Sequence, residues 1–204
     1  MTEDEARDWA RARFDVSREA LLERYAAILR EESKRQNLIA ASTLDQLWNR
    51  HLVDSAQLVP LADVDGPWID IGSGAGLPGI VAAILTDREV TLVEPRTKRA
   101  EFLRSTAKAL GLANVTVAAS RIEAHKPAKR AAVISARAVA PLYELFVGAA
   151  HCTDSSTVWL LPKGRNAESE VEATRGAWQG VFHVEPSITS PDSGIVIARK
   201  VRPR

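Results

Sequence analysis

The chain has 204 residues, enough for one domain with a small extension and a full apolar core. Its composition, 46% hydrophobic and 26% charged, is that of a globular protein, and no uncharged apolar run is long enough to span a bilayer. A net charge of +1 gives no global argument for nucleic-acid binding, and the single cysteine, Cys152, excludes an internal disulfide and a multi-cysteine zinc site, so no metal is expected.

The acidic start, Met1-Thr2-Glu3-Asp4-Glu5, lacks the basic and apolar regions of a signal peptide, which predicts a cytoplasmic protein. Leu21, Leu22, Tyr25, Ile28 and Leu29 recur at helical spacing behind Ser17 as a cap, predicting a helix over about 17 to 34. Ser42-Thr43-Leu44-Asp45 matches a capping box, and Leu44, Leu47, Trp48, His51, Leu52, Ser55, Leu58 and Val59 line one side of a second predicted helix that Pro60 stops. Residues 1–66 therefore read as a helical extension whose apolar stripes pack on a sheet formed by the rest of the chain. From Trp68 onward short apolar strands alternate with helical stretches, the pattern of parallel βαβ units in an α/β domain over 67–204. Strands are expected near 67–71, 90–94, 114–118, 131–135 and 157–161, and helices near 77–86, 97–110, 141–150 and 166–175. Val181–Val184 and Ile195–Ala198 are joined by a turn-rich link too short for a crossover helix, so they pair antiparallel at one edge.

The stretch Trp68-Ile69-Asp70-Ile71-Gly72-Ser73-Gly74-Ala75-Gly76-Leu77-Pro78-Gly79-Ile80 reads as strand, tight loop and helix start, with Pro78 suited to a first helical turn. Such a loop opens a nucleotide-type pocket at the carboxyl end of a parallel strand. Gly74-x-Gly76-x-x-Gly79 also spells the dinucleotide fingerprint, so the loop alone fits a nicotinamide enzyme or an S-adenosylmethionine enzyme. Asp70 favours the second: a carboxylate two residues before the first glycine repels a pyrophosphate and attracts a sulfonium and an ammonium. The pattern Asp-x-Gly-x-Gly-x-Gly resembles the first motif of S-adenosylmethionine-dependent methyltransferases.

Ligands of an open α/β sheet sit beyond the carboxyl ends of the strands. Glu94 ends the second strand at the spacing of an acid that accepts from ribose hydroxyls, or else caps the helix after Pro95. After the third strand stands Ser120-Arg121-Ile122-Glu123, where the methyltransferase resemblance places the adenine, with Ile122 and Glu123 as its contacts; Glu123 otherwise reads as a surface carboxylate. After the fourth strand, Ser135-Ala136-Arg137-Ala138-Val139-Ala140-Pro141 carries neither an Asn or Asp followed by Pro-Pro-aromatic nor a Pro-Cys nucleophile. It carries Arg137 instead, which can pair with a carboxylate, a phosphate or a guanine edge. A purine N7 has a lone pair and no proton, so its methylation needs orientation and no general base.

Taken together, Asn37-Leu38, Leu47-Trp48-Asn49-Arg50-His51-Leu52-Val53-Asp54-Ser55, the glycine stretch, Ser120–Glu123, Ser135 with Arg137–Ala140, and Lys163-Gly164 closely resemble the glucose-inhibited division protein B family, the bacterial 16S rRNA guanine-N7 methyltransferases of the 530 loop. The resemblance covers nearly the whole chain. It implies a Rossmann-like fold with a mostly parallel seven-stranded sheet, helices on both faces and an N-terminal helical extension. S-adenosylmethionine is the implied cofactor, and 16S rRNA or the small ribosomal subunit the implied partner of a monomeric enzyme. Asp70, Gly72, Gly74, Gly76, Leu77, Glu94, Ile122, Glu123 and Arg137 would bind the cofactor, Arg137 would also serve catalysis, and Arg121 and Lys163 would face rRNA phosphates. Asn37, Arg50, His51 and Asp54 are signature positions without an assigned role, and a hydrogen-bonded His51 that locks its helix to the sheet is one reading. Ser193-Gly194-Ile195 stands where members of the family often carry a basic residue, and the basic tail Arg199–Arg204 is offered as its substitute. The competing expectations are an NAD-dependent oxidoreductase using Gly74-x-Gly76-x-x-Gly79 and a non-catalytic rRNA-binding assembly factor.

Overall fold

A computed structural model describes all residues, 1–204. Seven strands, β1 (Trp68–Ile71), β2 (Val90–Val93), β3 (Val115–Ala118), β4 (Val133–Ala136), β5 (Val158–Lys163), β6 (Trp178–Pro186) and β7 (Gly194–Pro203), form one sheet in the order β3-β2-β1-β4-β5-β7-β6. The first five are parallel, and β7 runs antiparallel between β5 and β6, so the predicted sheet and its antiparallel edge are both present. The edge strands are longer than their apolar cores, because the backbone pairing continues into Arg199–Pro203, where side chains no longer alternate cleanly.

Period-two alternation sorts the sheet's side chains between two cores. Trp68, Val90, Leu92, Val133, Val158, Leu160 and Ile195 face one, together with helices α4 (Gly79–Leu85) and α5 (Thr97–Leu110). Ile69, Ile71, Val93, Ile134, Ala136, Trp159, Leu161, Val196 and Ala198 face the other, with α6 (Leu142–Ala149) and α7 (Ala167–Thr174). Across β1 and β4 the register sets Asp70 beside Ser135, both on the first face.

Residues 1–66 contribute their apolar side chains to that same first core, among them Ala6, Leu22, Tyr25, Leu29, Trp48 and Leu52, so the extension and the sheet bury one continuous apolar volume. Helix α1 (Glu3–Arg11) starts on a complete capping box, Thr2 with Glu5, and α2 (Val16–Ser33) is capped by Asp15, which accepts from the Arg18 N–H, and not by Ser17. The expected regular helix over 42–59 is absent. In its place come a 3₁₀ segment Ala41–Gln46, a π-helical segment Trp48–Val53, the single turn α3 (Asp54–Ala56) and a 3₁₀ turn Val59–Leu61. No side chain of Ser42 or Thr43 caps the segment. The carboxylate of Glu3 instead accepts from the Trp48 and Asn49 N–H groups at 3.0 and 2.7 Å, satisfying the amides that open the π segment. Widened π turns recur where a helix must present side chains in a special register, and this one carries His51. No helix is long and apolar enough to cross a membrane.

Candidate active site

The glycine loop, residues 72–78, leaves β1 and folds against the end of β2. Gly72 and Ser73 donate to the Val93 carbonyl at 2.8 and 3.2 Å, and Gly74 donates to Glu94 Oε2 at 2.8 Å. Gly72 has φ +64°, and a Cβ there would meet Val139 Cγ2 at 2.7 Å, so glycine is required for conformation and for the approach of the β4 loop. Gly79 is required for space alone: a Cβ would come within 2.3 Å of Leu92 and 2.7 Å of Asp70 Oδ2. The Tyr25 hydroxyl, buried on α2, donates to the Ala75 carbonyl at 2.7 Å and ties the extension to the loop.

Asp70 is fully buried beneath this loop. Its Oδ1 accepts from Ser135 Oγ at 2.6 Å, Ser135 Oγ accepts from the Trp68 indole at 2.8 Å, and Oδ2 accepts from the Gly79 N–H at 3.2 Å. Burial pushes the Asp70 carboxyl up to about 6, partly offset by the Ser135 and Ser73 hydroxyls and the Gly79 amide. The direct attraction of Asp70 for a sulfonium or ammonium is therefore corrected, because its carboxylate is sealed in the core and acts by fixing the start of α4. The same bond bears on the dinucleotide alternative: the first amide of α4, which a pyrophosphate would use, is already satisfied by Asp70.

Glu94 is buried at the mouth of the loop. One oxygen holds Gly74 and the other accepts from the Arg96 N–H at 2.8 Å, so it caps the approach to α5 as well as facing the loop, and each oxygen keeps a lone pair for a further donor. Leu77 lies in the first core, which leaves only its backbone for a ligand. Ile122 is buried in the second core after β3, while Glu123 is exposed and lies against Gly148 of α6. No hydrogen bond joins Glu123 to the glycine loop. Arg121 is exposed just before them.

Beyond the ends of β4 and β5 lies a cavity of about 670 Å³, bordered by Arg50, His51, Asp54, Arg137, Lys163 and Glu170 among others. Its volume falls within the range of small-ligand sites. Arg137 is held on three sides: Nη1 donates to Asp54 Oδ2 at 3.0 Å and to the Arg50 carbonyl at 3.3 Å, and Nη2 meets His51 Nδ1 at 3.3 Å. Since Nδ1 receives that donor, the proton of the imidazole sits on Nε2, which donates to Thr43 Oγ1 at 2.8 Å. Burial, with Arg137 and Arg50 nearby, brings His51 down to about 3, so the ring is neutral. Asp54 Oδ1 accepts from Thr189 Oγ1 at 2.8 Å, drawing the β6–β7 loop into the same network. Asn37 stays outside it, its carbonyl accepting from Arg99.

Lys163 does not project toward solvent, as a phosphate contact requires. Its ammonium donates to the Ala140 carbonyl at 2.7 Å and to Glu170 Oε2 at 2.8 Å, and its side chain is only 12% exposed. The basic tail is also misplaced for the role offered to it: Gly194 pairs with Lys163 at the cavity, whereas Arg199 pairs with Val158 at the opposite end of β5. Sequence reasoning missed Glu3, Thr189 and Glu170, whose partners are distant in the chain. It flagged Arg50, His51 and Asp54 without a role; their signal was the unpaired Arg137, a charge just past a buried strand that needs an acid from elsewhere.

A family model described as rRNA small subunit methyltransferase G matches residues 18–192. The chain is 51% identical over its full length, and over 95% of the relative, to the ribosomal RNA small subunit methyltransferase G of Rhizorhabdus wittichii. It is 45% identical to the protein of the same name from Zymomonas mobilis, covering all of this chain and 96% of that one. Among solved structures, a ribosomal protein L11 methylase from Lactobacillus delbrueckii superposes with a TM-score of 0.59 at 15% identity, over 74% of this chain and 79% of that one. A glycopeptide N-methyltransferase complexed with sinefungin gives 0.61 at 14%, over 73% and 93%. These two likenesses establish the Rossmann-like methyltransferase fold, and with the family model matched over 18–192 and relatives 45% and 51% identical over the whole chain, the chain belongs to the rRNA small subunit methyltransferase G family.

Proposed function

We propose that the chain transfers the methyl group of S-adenosylmethionine to N7 of a guanine in the 530 loop of 16S rRNA. The observation that carries the chemistry is that Asp54, Glu170 and His51, the side chains at the cavity able to act as bases, each take part in an ion pair or hydrogen bond within the chain. Asp54 pairs with Arg137, Glu170 pairs with Lys163, and the neutral imidazole of His51 uses both nitrogens in hydrogen bonds. Such a site is arranged to orient its ligands, and an N7 acceptor has no proton to remove. When bound, S-adenosylmethionine supplies an electrophilic methyl carbon; the purine lone pair forms the new N–C bond while the C–S bonding pair stays on sulfur.

The residues fit that cofactor. Glu94 offers two acceptor oxygens at the glycine loop for a ribose diol, the backbone at Gly72, Gly74, Gly76 and Leu77 forms the wall of the loop, and Ile122 and Glu123 follow β3 on the adenine side. Arg137 retains Nε–H and one Nη2–H, a fork matched to a carboxylate, because its three bonds inside the chain use only Nη1 and one side of Nη2. Arg137 thereby orients the methionyl end of the cofactor and is positioned by His51 and Asp54. Exposed Arg121 contributes to rRNA phosphate binding. The test is transfer from radiolabelled S-adenosylmethionine to small subunits lacking the modification. Label recovered as 7-methylguanosine in the 530 loop is the expected result, and label in another nucleoside, or none, overturns the assignment.

A further inference from the structure

Methylation at N7 restricts how the enzyme can recognise its base. The commonest protein reading of guanine, a fork donating to O6 and N7, would occupy the lone pair that must attack the methyl carbon. Discrimination must therefore come from O6 as an acceptor and from N1–H and N2–H₂ as donors. Adenine presents the reverse order along that edge, an amino donor at C6 and an acceptor at N1.

The cavity wall offers one donor and one acceptor side by side. An ammonium has three N–H donors, and Lys163 spends two of them, on Ala140 and Glu170. Glu170 spends Oε2 on Lys163 and on the Leu142 N–H at 3.1 Å, while its Oε1 accepts from nothing in the chain. Both side chains border the cavity that Arg137 also borders. Each is held in place by the segment that follows Arg137, Lys163 through Ala140 and Glu170 through the first amide of α6, so the pair is set relative to the cofactor end of the cavity. Arg137 itself is fixed by Asp54, Arg50 and His51 and is assigned to the cofactor.

Building on the methyl transfer proposed above, we infer that Lys163 and Glu170 read the guanine base: the remaining Lys163 N–H donates to O6, Glu170 Oε1 accepts from N1–H and N2–H₂, and N7 is left bare. The inward-facing lysine is thus a specificity determinant and not a phosphate contact.

The experiment uses the full chain, labelled S-adenosylmethionine and small subunits reconstituted with ligated 16S rRNA carrying guanosine, inosine or 2,6-diaminopurine riboside at the acceptor position. All three keep N7; inosine lacks the N2 amino group, and diaminopurine reverses the O6/N1 pattern. For the wild type, guanosine should exceed inosine by roughly tenfold in kcat/KM and diaminopurine by about a hundredfold. Glu170→Gln should slow guanosine most and inosine, which keeps N1–H, less, collapsing the guanosine-to-inosine ratio toward one, with calorimetric cofactor affinity retained. Lys163→Gln should collapse the guanosine-to-diaminopurine ratio in the same way. Comparing ratios between variant and wild type cancels intrinsic differences in N7 reactivity and in the amount of folded enzyme. Variants that lower all three acceptors by one common factor would overturn the base-reading role and leave a structural one. Failure of the wild type to place label on guanine N7 would instead overturn the methyl-transfer assignment beneath it.

Discussion

Two polar networks hold this molecule's functional end together, and they are built on opposite plans. Beneath the glycine loop, Trp68, Ser135, Asp70 and Gly79 form a sealed chain made inside the sheet by the register of two neighbouring strands. At the cavity wall, Thr43, His51, Arg137, Asp54 and Thr189 form an open chain that joins the extension, the end of β4 and the β6–β7 loop. The sealed network buries an acid for the sake of geometry. The open one holds a cation, Arg137, whose Nε–H and one Nη2–H have no partner in the chain. One is scaffold and the other is the proposed working surface, and they differ in how they should respond to mutation and pH.

Arg137→Ala gives the largest expected effect, a loss of transfer rate of about a hundredfold or more, comparable to removal of one preorganised donor from an active site, while cooperative unfolding by circular dichroism persists. A variant with full activity would place the working surface elsewhere. Next come opposed pH dependences. Asp70 has a raised carboxyl, so between its unfolded value of about 4 and its folded value of about 6 the native state binds more protons than the unfolded one, and stability falls as pH rises. His51 has a lowered imidazole, so between about 3 and 6.5 the unfolded state binds more protons, and stability falls as pH falls. Each contributes at most about 1.4 kcal/mol per pH unit, with opposite sign, and they largely cancel between pH 4 and 6. Urea titrations across that window should show a positive slope in Asp70→Asn and a negative one in His51→Gln. Parallel slopes in the two variants would dissolve the contrast.

Glu94→Ala should weaken S-adenosylmethionine binding by roughly 1.5–3 kcal/mol in calorimetry, the range for hydrogen bonds to a charged acceptor. Unchanged affinity would confine Glu94 to holding Gly74 and Arg96. The smallest effect is expected from His51→Gln at neutral pH. Glutamine keeps one acceptor for Arg137 and one donor for Thr43, so stability should change by less than about 0.5 kcal/mol, whereas His51→Ala should cost about 1 kcal/mol.

The sealed network is nearly readable in the sequence, because its parts are local or set by strand periodicity: a buried-looking acid in an apolar strand, a glycine run and an alternating neighbour at Ser135. The open network is not. Asp54 and Arg137 are 83 residues apart, and Asp54 and Thr189 are 135 apart, so no spacing rule links them. The stretch 42–59 reads as a regular helix because its apolar positions fit a 3.6-residue period. Local periodicity cannot register that Glu3, 45 residues upstream of Trp48, satisfies the amides of a widened turn. Lys163 misleads for a related reason: cations near an RNA-binding site look alike until their partners are known, and Glu170 is the partner.

The bond from Tyr25 to Ala75 has a thermodynamic consequence. It spans 50 residues and joins the second helix of the chain to the glycine loop proposed to bind the cofactor, so order in one is linked to order in the other. A ligand that stiffens the loop should slow amide hydrogen exchange around Tyr25 on α2, and by reciprocity loosening α2 should raise the cofactor's dissociation constant. The extension is thus a remote handle on affinity.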